Sequence, residues 1–437
     1  MAMRVRGKPW WIFLAGNLTG ALVAVSLFVA GPLAGPPELE PGELVILSGQ
    51  DDSTGGQRQR LINLWNDSHP RNRARIVTVP QAADGQWFEM ANRAEDGDTD
   101  IFNLDVAWTA YFADPPSGRR LIRPIDEELL AERPDDAFMA KPLQTCRYAD
   151  RLWALPFNTD AGLLYHRTDQ GLKPPFTWDA IAGAAGREGF GASYTAQLAA
   201  YEGLTVNVLE AVWAAGGRLD VAGDGRVTLD LDRWDEAVRR LTPRRGAGPH
   251  VVLPESTSFD ETGSRSAFQD GRVLFMRNWP VAYRTMLAGD QPPAGGVAGD
   301  RVQSGRRPVP FAVAKLPGPS VLGGQNLAIS ERTTKPRAAQ ALIEFLTNQR
   351  SQEMLFDPGG FAATRAAVYE NETIKQKYPY APLLREAVET ARLRPMSPHY
   401  VAFSQRLHQR VSEVLSGRQP RLPRDLADQL TLALQGR

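Results

Sequence analysis

The chain has one cysteine, Cys146, among 437 residues. A single thiol excludes an internal disulfide framework and any zinc site built on several thiolates. It reads as a half-buried free thiol. The five histidines, His69, His166, His250, His399 and His408, lie far apart with no ligand spacing, so no metal site is expected. Neither sign of charge is in excess: Lys+Arg and Asp+Glu number 50 each. A neutral chain without a basic run gives no electrostatic reason to expect nucleic acid. Phosphate-loop, nucleophile-elbow, metalloprotease-helix and dinucleotide motifs are all missing. No cofactor and no serine or cysteine relay is therefore expected.

Long apolar runs are also scarce, with one exception at the start. Arg4, Arg6 and Lys8 precede Trp10 and Trp11, and Ile12 to Ala30 then carries no charge. That is roughly nineteen residues, near the length that crosses a bilayer. The preceding positive residues place the N-terminus inside and the remainder outside. Two readings stand: a cleaved signal peptide, with small residues at Ala30-Gly31 and Ala34-Gly35, or an uncleaved membrane anchor. Residues 1–42 are thus a targeting segment plus a proline-rich linker. The rest is expected at the outer face of the cell membrane, anchored or secreted.

The length calls for two or three domains. Glu43 to Ser48 (ELVILS) reads as a buried strand, GQDDSTGG as a polar turn, Arg58 to Ser68 as a helix and Ala74 to Val79 as a second strand. This is a strand–helix–strand unit of an open sheet. Further strands are expected at Asp100 to Trp108, Leu121 to Ile125, Leu152 to Pro156, Gly162 to His166, from Val273, and at Phe311 to Lys315. Asn158-Thr159-Asp160 reads as a turn. Asp224-Gly225 centres a hairpin, and the same residues fail as a calcium loop because Ala222 and Leu231 stand at ligand positions. The last hundred residues read as mostly helical. Strands alternate with helices too irregularly for a (β/α)₈ barrel, so two α/β domains are expected.

Acids, amides and aromatics recur at the expected strand ends: Asp51, Asp52, Asp105, Trp108, Asn158, Asp160, Tyr201, Glu202, Trp279, Tyr283, Gly324, Gln325 and Asn326. Ligands of open α/β sheets bind outside strand ends. Carboxylates and amides bond several hydroxyls at once, and flat rings cover C–H patches. That mix suits a carbohydrate. Each residue also has a plainer reading. Asp51, Asp52 and Asp160 read as turn residues, Trp108 and Trp213 as core, and Tyr201-Glu202 as an exposed helix start. Pro280 ends ladder bonding after Trp279, which favours a loop-presented ring.

With these residues in place, the chain resembles the extracellular solute-binding proteins of ABC sugar importers, in the maltose- and trehalose-binding branch. The resemblance is carried by several stretches in order: ILSGQDDSTGGQRQRLINLWN, DIFNLDVAWTAYFA, LWALPFNTDAGLLYHR, YEGLTVNVLEAVWAAGG, FQDGRVLFMRNWPVAY, GGQNLAIS and AAQALIEFLTNQRSQEML. It implies an α/β fold of the two-lobe periplasmic-binding-protein type (type II). The lobes are joined by crossing hinge segments, with a ligand cleft between them. It implies lobe 1 from 43–157 with 281–330 and lobe 2 from 158–280 with 331–437. By position it implies Asp52, Asp105, Trp108, Asn158, Asp160, Tyr201, Glu202, Trp279, Tyr283, Gly324, Gln325 and Arg365 near the ligand. It further implies a monomeric carbohydrate receptor that delivers a sugar, an oligosaccharide such as an α-glucoside, to importer permease subunits. Members usually carry a lipid-anchoring cysteine after the signal; none follows here. Two other classes stay open: a membrane-tethered sensor without a transport role, and a glycoside hydrolase using two acids such as Asp105 and Glu202.

Overall fold

Leu44–Ser48 (β1) is apolar throughout because protein covers it on both faces, and every residue in it is buried. The computed structural model describes residues 38–80, 83–126, 137–244, 248–288 and 309–437. The next strands are β2 (Ala74–Thr78), β3 (Ile101–Asp105), β4 (Arg147–Tyr148), β5 (Arg151–Leu152), β6 (Ala154–Ala161) and β7 (Leu163–Arg167). After these come β8 (Ala192–Thr195), β9 (Leu219–Val221), β10 (Val227–Leu229), β11 (His250–Val252), β12 (Val273–Asn278), β13 (Phe311–Lys315) and β14 (Leu322–Ile329).

Two five-stranded sheets result, ordered β2-β1-β3-β14-β6 and β11-β8-β12-β7-β13. In the first, β1 pairs parallel with β2 and β3, and β14 runs antiparallel to β3 and β6. In the second, β12 is parallel to β8, and β7 is antiparallel to β12 and β13. Helices cover both. Gln57–Ser68 buries Leu61, Ile62 and Trp65, and Pro336–Thr347 packs on β14 and β6. On the second side, Glu202–Ala214 packs against Leu231–Leu241 and Tyr400–Leu415.

The chain crosses between the sheets at Gly162, over 316–321, and over 391–399. The second and third crossings are tied together, with Leu322 N donating to Arg392 O at 2.9 Å and Arg392 N to Ser320 O at 2.8 Å. Two lobes joined by crossing segments, with a cleft between, are therefore the architecture: the type II binding-protein fold. A shared core lies along the hinge side, where Tyr165, Met276, Leu322, Phe356, Tyr369, Tyr378 and Tyr380 pack together.

Several expectations change. Asn158-Thr159-Asp160 is not a turn. These residues extend β6, and Asn158, Thr159 and Asp160 pair with Gln325, Gly324 and Gly323. Polar residues at the cleft end of a buried strand imitate turn composition. Leu121 to Ile125 makes only an isolated bridge from Ile122 to Ser330. The expected lobe 1 segment 281–330 is divided, because β13 joins the second sheet through β7. The expected lobe 2 segment 331–437 is divided as well: Pro336–Thr347 packs on the first sheet, and Tyr400–Leu415 on the second side. Cys146 is fully buried rather than half-buried. The apolar stretch Ile12–Ala30 lies outside the described residues; no described helix is long and apolar enough to cross a membrane.

Candidate functional site

The edge of the first lobe is organised by a buried arginine that the sequence reading placed only at a helix start. Arg58 is 5% exposed. It donates from one terminal nitrogen to Ser48 Oγ and Gln50 O, both at 3.3 Å, and from the other to Gln325 Oε1 at 3.1 Å. Asp51 fixes the helix start by accepting from Arg58 N at 3.0 Å and Ser53 Oγ at 2.6 Å. Burial pulls the Arg58 guanidinium below its ordinary value, opposed by Asp51, Asp52 and Asp160. Asp52 is solvent-exposed, yet surrounding protein raises its carboxyl above the ordinary range, with Arg58 and Arg265 of the second lobe pulling the other way.

Asn158 and Asp160, on alternate positions of β6, are buried at 1% and 8% exposure. Their only mutual contact is long, 3.5 Å from Asn158 Nδ2 to Asp160 Oδ2. Asn158 Oδ1, Asp160 Oδ1 and Arg58 Nε have no hydrogen-bond partner. Buried polar atoms are usually satisfied, so the two oxygens on alternate β6 positions mark a place where something else bonds. Burial pushes the Asp160 carboxyl up to about 8, against the pull of Arg58 and Arg277. Gly324 makes this edge possible. Its φ is +116°, and a Cβ there would fall 2.3 Å from Asn158 O.

The second lobe supplies aromatic rings. Trp279 follows β12, half-buried, with its Nε1 donating to Glu261 Oε1 at 3.2 Å. Tyr201 donates its hydroxyl to the other oxygen of Glu261 at 2.9 Å. One carboxylate thus holds both rings. A Cβ added at Gly323 would meet both the Trp279 ring and Asp160 Cβ at 3.2 Å, so the ring abuts the first lobe's polar edge. The Arg277 guanidinium lies over the ring, 3.8 Å from its centroid.

Arg277 connects this ring to the hinge. It is 1% exposed and forms a two-pronged pair with Glu210, at 2.9 Å from Nε and 2.7 Å from a terminal nitrogen. Glu210 Oε1 also accepts from Ser320 Oγ at 3.0 Å and Val321 N at 3.1 Å, on the second crossing. Gly162, on the first crossing, donates its N–H to Ser320 Oγ at 2.6 Å. A Cβ at Gly162 would sit 2.6 Å from Arg277 and 2.8 Å from Glu210. A contact chain therefore runs from cleft ring to hinge backbone.

Asp105 and Glu202 are already engaged. Arg394, on the third crossing, donates to Asp105 Oδ1 at 2.7 Å and to Glu202 Oε1 at 2.8 Å. Tyr400 and Ser404 hydroxyls donate to the two oxygens of Glu202, each at 2.5 Å. Burial raises the Asp105 carboxyl, with Arg394 opposing and Glu202 adding. Two carboxylates committed to one guanidinium are poorly placed for the acid and base of glycoside hydrolysis.

The expected residues thus separate. Asn158, Asp160, Gly324 and Gln325 share the β6–β14 edge, Tyr201 and Trp279 share Glu261, and Asp52 feels the charge of Arg58. Asp105 and Glu202 meet through Arg394. Trp108 is buried at the end of the first lobe. Tyr283 packs on Tyr380 and Phe311 in the hinge-side core, at 4.2 and 5.3 Å between centroids. Arg365 lies apart, donating to Thr347 O at 2.6 Å and covering the Phe138 ring. Arg58, Glu210, Glu261, Arg277 and Arg394 were missed. Glu210 and Arg277 did leave a signal, since each is a lone charge among apolar neighbours.

These features define a two-lobed protein with a polar edge on one lobe and aromatic rings on the other. Residues 71–382 match the family described as bacterial extracellular solute-binding protein, and the chain belongs to that family. It is therefore an extracytoplasmic solute receptor rather than an enzyme. A probable ABC transporter-binding protein of Deinococcus radiodurans is 28% identical over 342 residues, covering 74% of this chain and 76% of the relative. The maltose-bound MalE3 of T. maritima superimposes with a TM-score of 0.73 at 25% identity, covering 90% of this chain and 99% of that one. The GacH receptor of Streptomyces glaucescens shares the fold at 20% identity and TM-score 0.70, covering 91% of this chain and 98% of that one. The GacH structures include complexes with acarbose and an acarbose homolog.

Proposed function

We propose that this chain is the carbohydrate receptor of an ABC importer, and that its lobes close on a sugar such as an α-glucoside. The observation that carries this reading is the pairing of unlike walls. Trp279, which shares one carboxylate with Tyr201, abuts the strand edge that carries the unpartnered Asn158 and Asp160 oxygens. A sugar ring offers C–H faces to the first wall and hydroxyls to the second. The maltose complex of MalE3 supports the same class of ligand. Closure needs no covalent step: the ligand makes contacts with both lobes that only the closed form supplies, and so shifts the population.

Delivery is to the permease subunits of the importer, with the receptor acting as a monomer. The Ile12–Ala30 segment serves as signal or anchor, and keeps the receptor secreted to or tethered at the outer face.

A thermal-shift screen of the full chain in mild detergent against sugars, amino acids and short peptides tests the ligand class. A ligand at a hundred times its Kd adds about 2.7 kcal/mol of stability. The expected result is a raised midpoint with a sugar alone. A rise with an amino acid or peptide, and none with any sugar, overturns the reading.

A further inference from the structure

We infer that Arg394 closes one end of the cleft and limits the ligand to one or two sugar units. This rests on the carbohydrate reading above and adds a size limit to it. Arg394 spans from the first lobe, at Asp105, to the second, at Glu202, with N–O distances of 2.7 and 2.8 Å. Its side chain is only 3% exposed, and its guanidinium lies 5.6 Å from the Tyr400 ring centroid. Glu202 is locked from behind by the Tyr400 and Ser404 hydroxyls. Swinging Arg394 aside leaves two shielded carboxylates without their counterion, so a ligand cannot displace it cheaply. The cleft is therefore blocked where a longer saccharide would run between Asp105 and Glu202.

The other polar and aromatic groups agree with a short occupant. Asn158 Oδ1 and Asp160 Oδ1 are unpartnered on alternate positions of β6, and Asp160 lies beside the Trp279 ring. Two of the described aromatic candidates offer no continuation from Trp279 and Tyr201: Trp108 is buried, and Tyr283 belongs to the hinge-side core. Asn326, next to Gln325, is committed to Thr109 and Thr145.

The test is calorimetric titration of the full chain with glucose, maltose, trehalose, cellobiose, maltotetraose and cellotetraose, native and with Arg394→Ala. The native protein is expected to bind a mono- or disaccharide at least about a hundredfold tighter than either tetrasaccharide. The variant, if its thermal transition shows it folded, is expected to narrow that ratio to within about tenfold. If the variant does not fold, the native ratio decides alone. A native tetrasaccharide affinity equal to or above that for the short sugars overturns the size limit and leaves the carbohydrate reading intact. An unchanged ratio in the folded variant removes Arg394 from the role. No heat with any sugar overturns the carbohydrate reading itself.

Discussion

Replacing Glu210 by glutamine keeps the side chain's shape and removes one charge from the hinge. Its partner Arg277 is then a buried cation without a counter-charge, left with neutral acceptors: the new amide oxygen and Gln197 Oε1 at 3.2 Å. A unit-charge pair about 4 Å apart is worth roughly 4 kcal/mol at an effective dielectric constant of 20. Removing one partner of a buried pair costs about 3–5 kcal/mol in practice, since the other charge stays desolvated. The contacts that Glu210 makes with Ser320 Oγ and Val321 N weaken too, because the glutamine amide group is a poorer acceptor than a carboxylate. Glu210→Gln is thus expected to lower unfolding stability by about 3–5 kcal/mol. Urea unfolding followed by both tryptophan fluorescence and circular dichroism measures this and checks that the two transitions coincide. A loss below about 1 kcal/mol means that the pair behaves like a solvated surface pair, and the hinge-anchor reasoning is refuted. The double variant Glu210→Leu/Arg277→Met is expected to regain most of the stability. It should still bind sugar more weakly, because no guanidinium then backs Trp279.

Three further outcomes are expected. The Asp160 carboxyl titrates near 8 in the fold and near 4 unfolded, so the folded state holds the extra proton between these values. Its relative contribution to stability is fullest below pH 4 and is lost as pH rises through about 8. The melting-temperature difference between native protein and Asp160→Asn should therefore shift in the variant's favour from pH 5 to 9; a flat difference contradicts the raised value. Gly324→Ala, with φ +116° and a backbone oxygen 2.3 Å from the new Cβ, should cost about 1–3 kcal/mol or more in urea unfolding. An unchanged midpoint would show that the β6–β14 approach is looser than described. Glu261→Gln removes the shared anchor of Trp279 and Tyr201. Sugar affinity should fall about tenfold or more at nearly constant stability, as charge-assisted bonds weaken to neutral ones; equal affinity in a titration contradicts that arrangement.

The parts of the fold legible in the sequence were those whose burial is local. Leu44 to Leu47 and Val273 to Met276 read as strands because each lies wholly inside a covered sheet. Leu342, Ile343 and Leu346 read as a helix face for the same reason. The lobe partition failed where the chain changes sheets: nothing in Phe311 to Lys315 says that its partner is β7. Asn158 to Asp160 misled because strand residues that face a cleft carry the polar composition of a turn. The aromatic candidates shared composition and differed in fate, since only three-dimensional packing separates Trp279 from Tyr283. The pairs that organise the site span long separations, 67 residues for Glu210–Arg277 and 289 for Asp105–Arg394, and sequence periodicity carries no trace of them.

The central claim is that Trp279 and the unpartnered β6 oxygens form one sugar site. Isothermal titration of the full chain with the sugar that the thermal screen selects, native beside Trp279→Ala, tests it most directly. Losing a buried aromatic face should weaken binding by roughly 1–3 kcal/mol without unfolding the protein. Saturable heat in the native chain, weakened in the variant by that amount, is the predicted result. Equal affinity in both proteins would contradict the account.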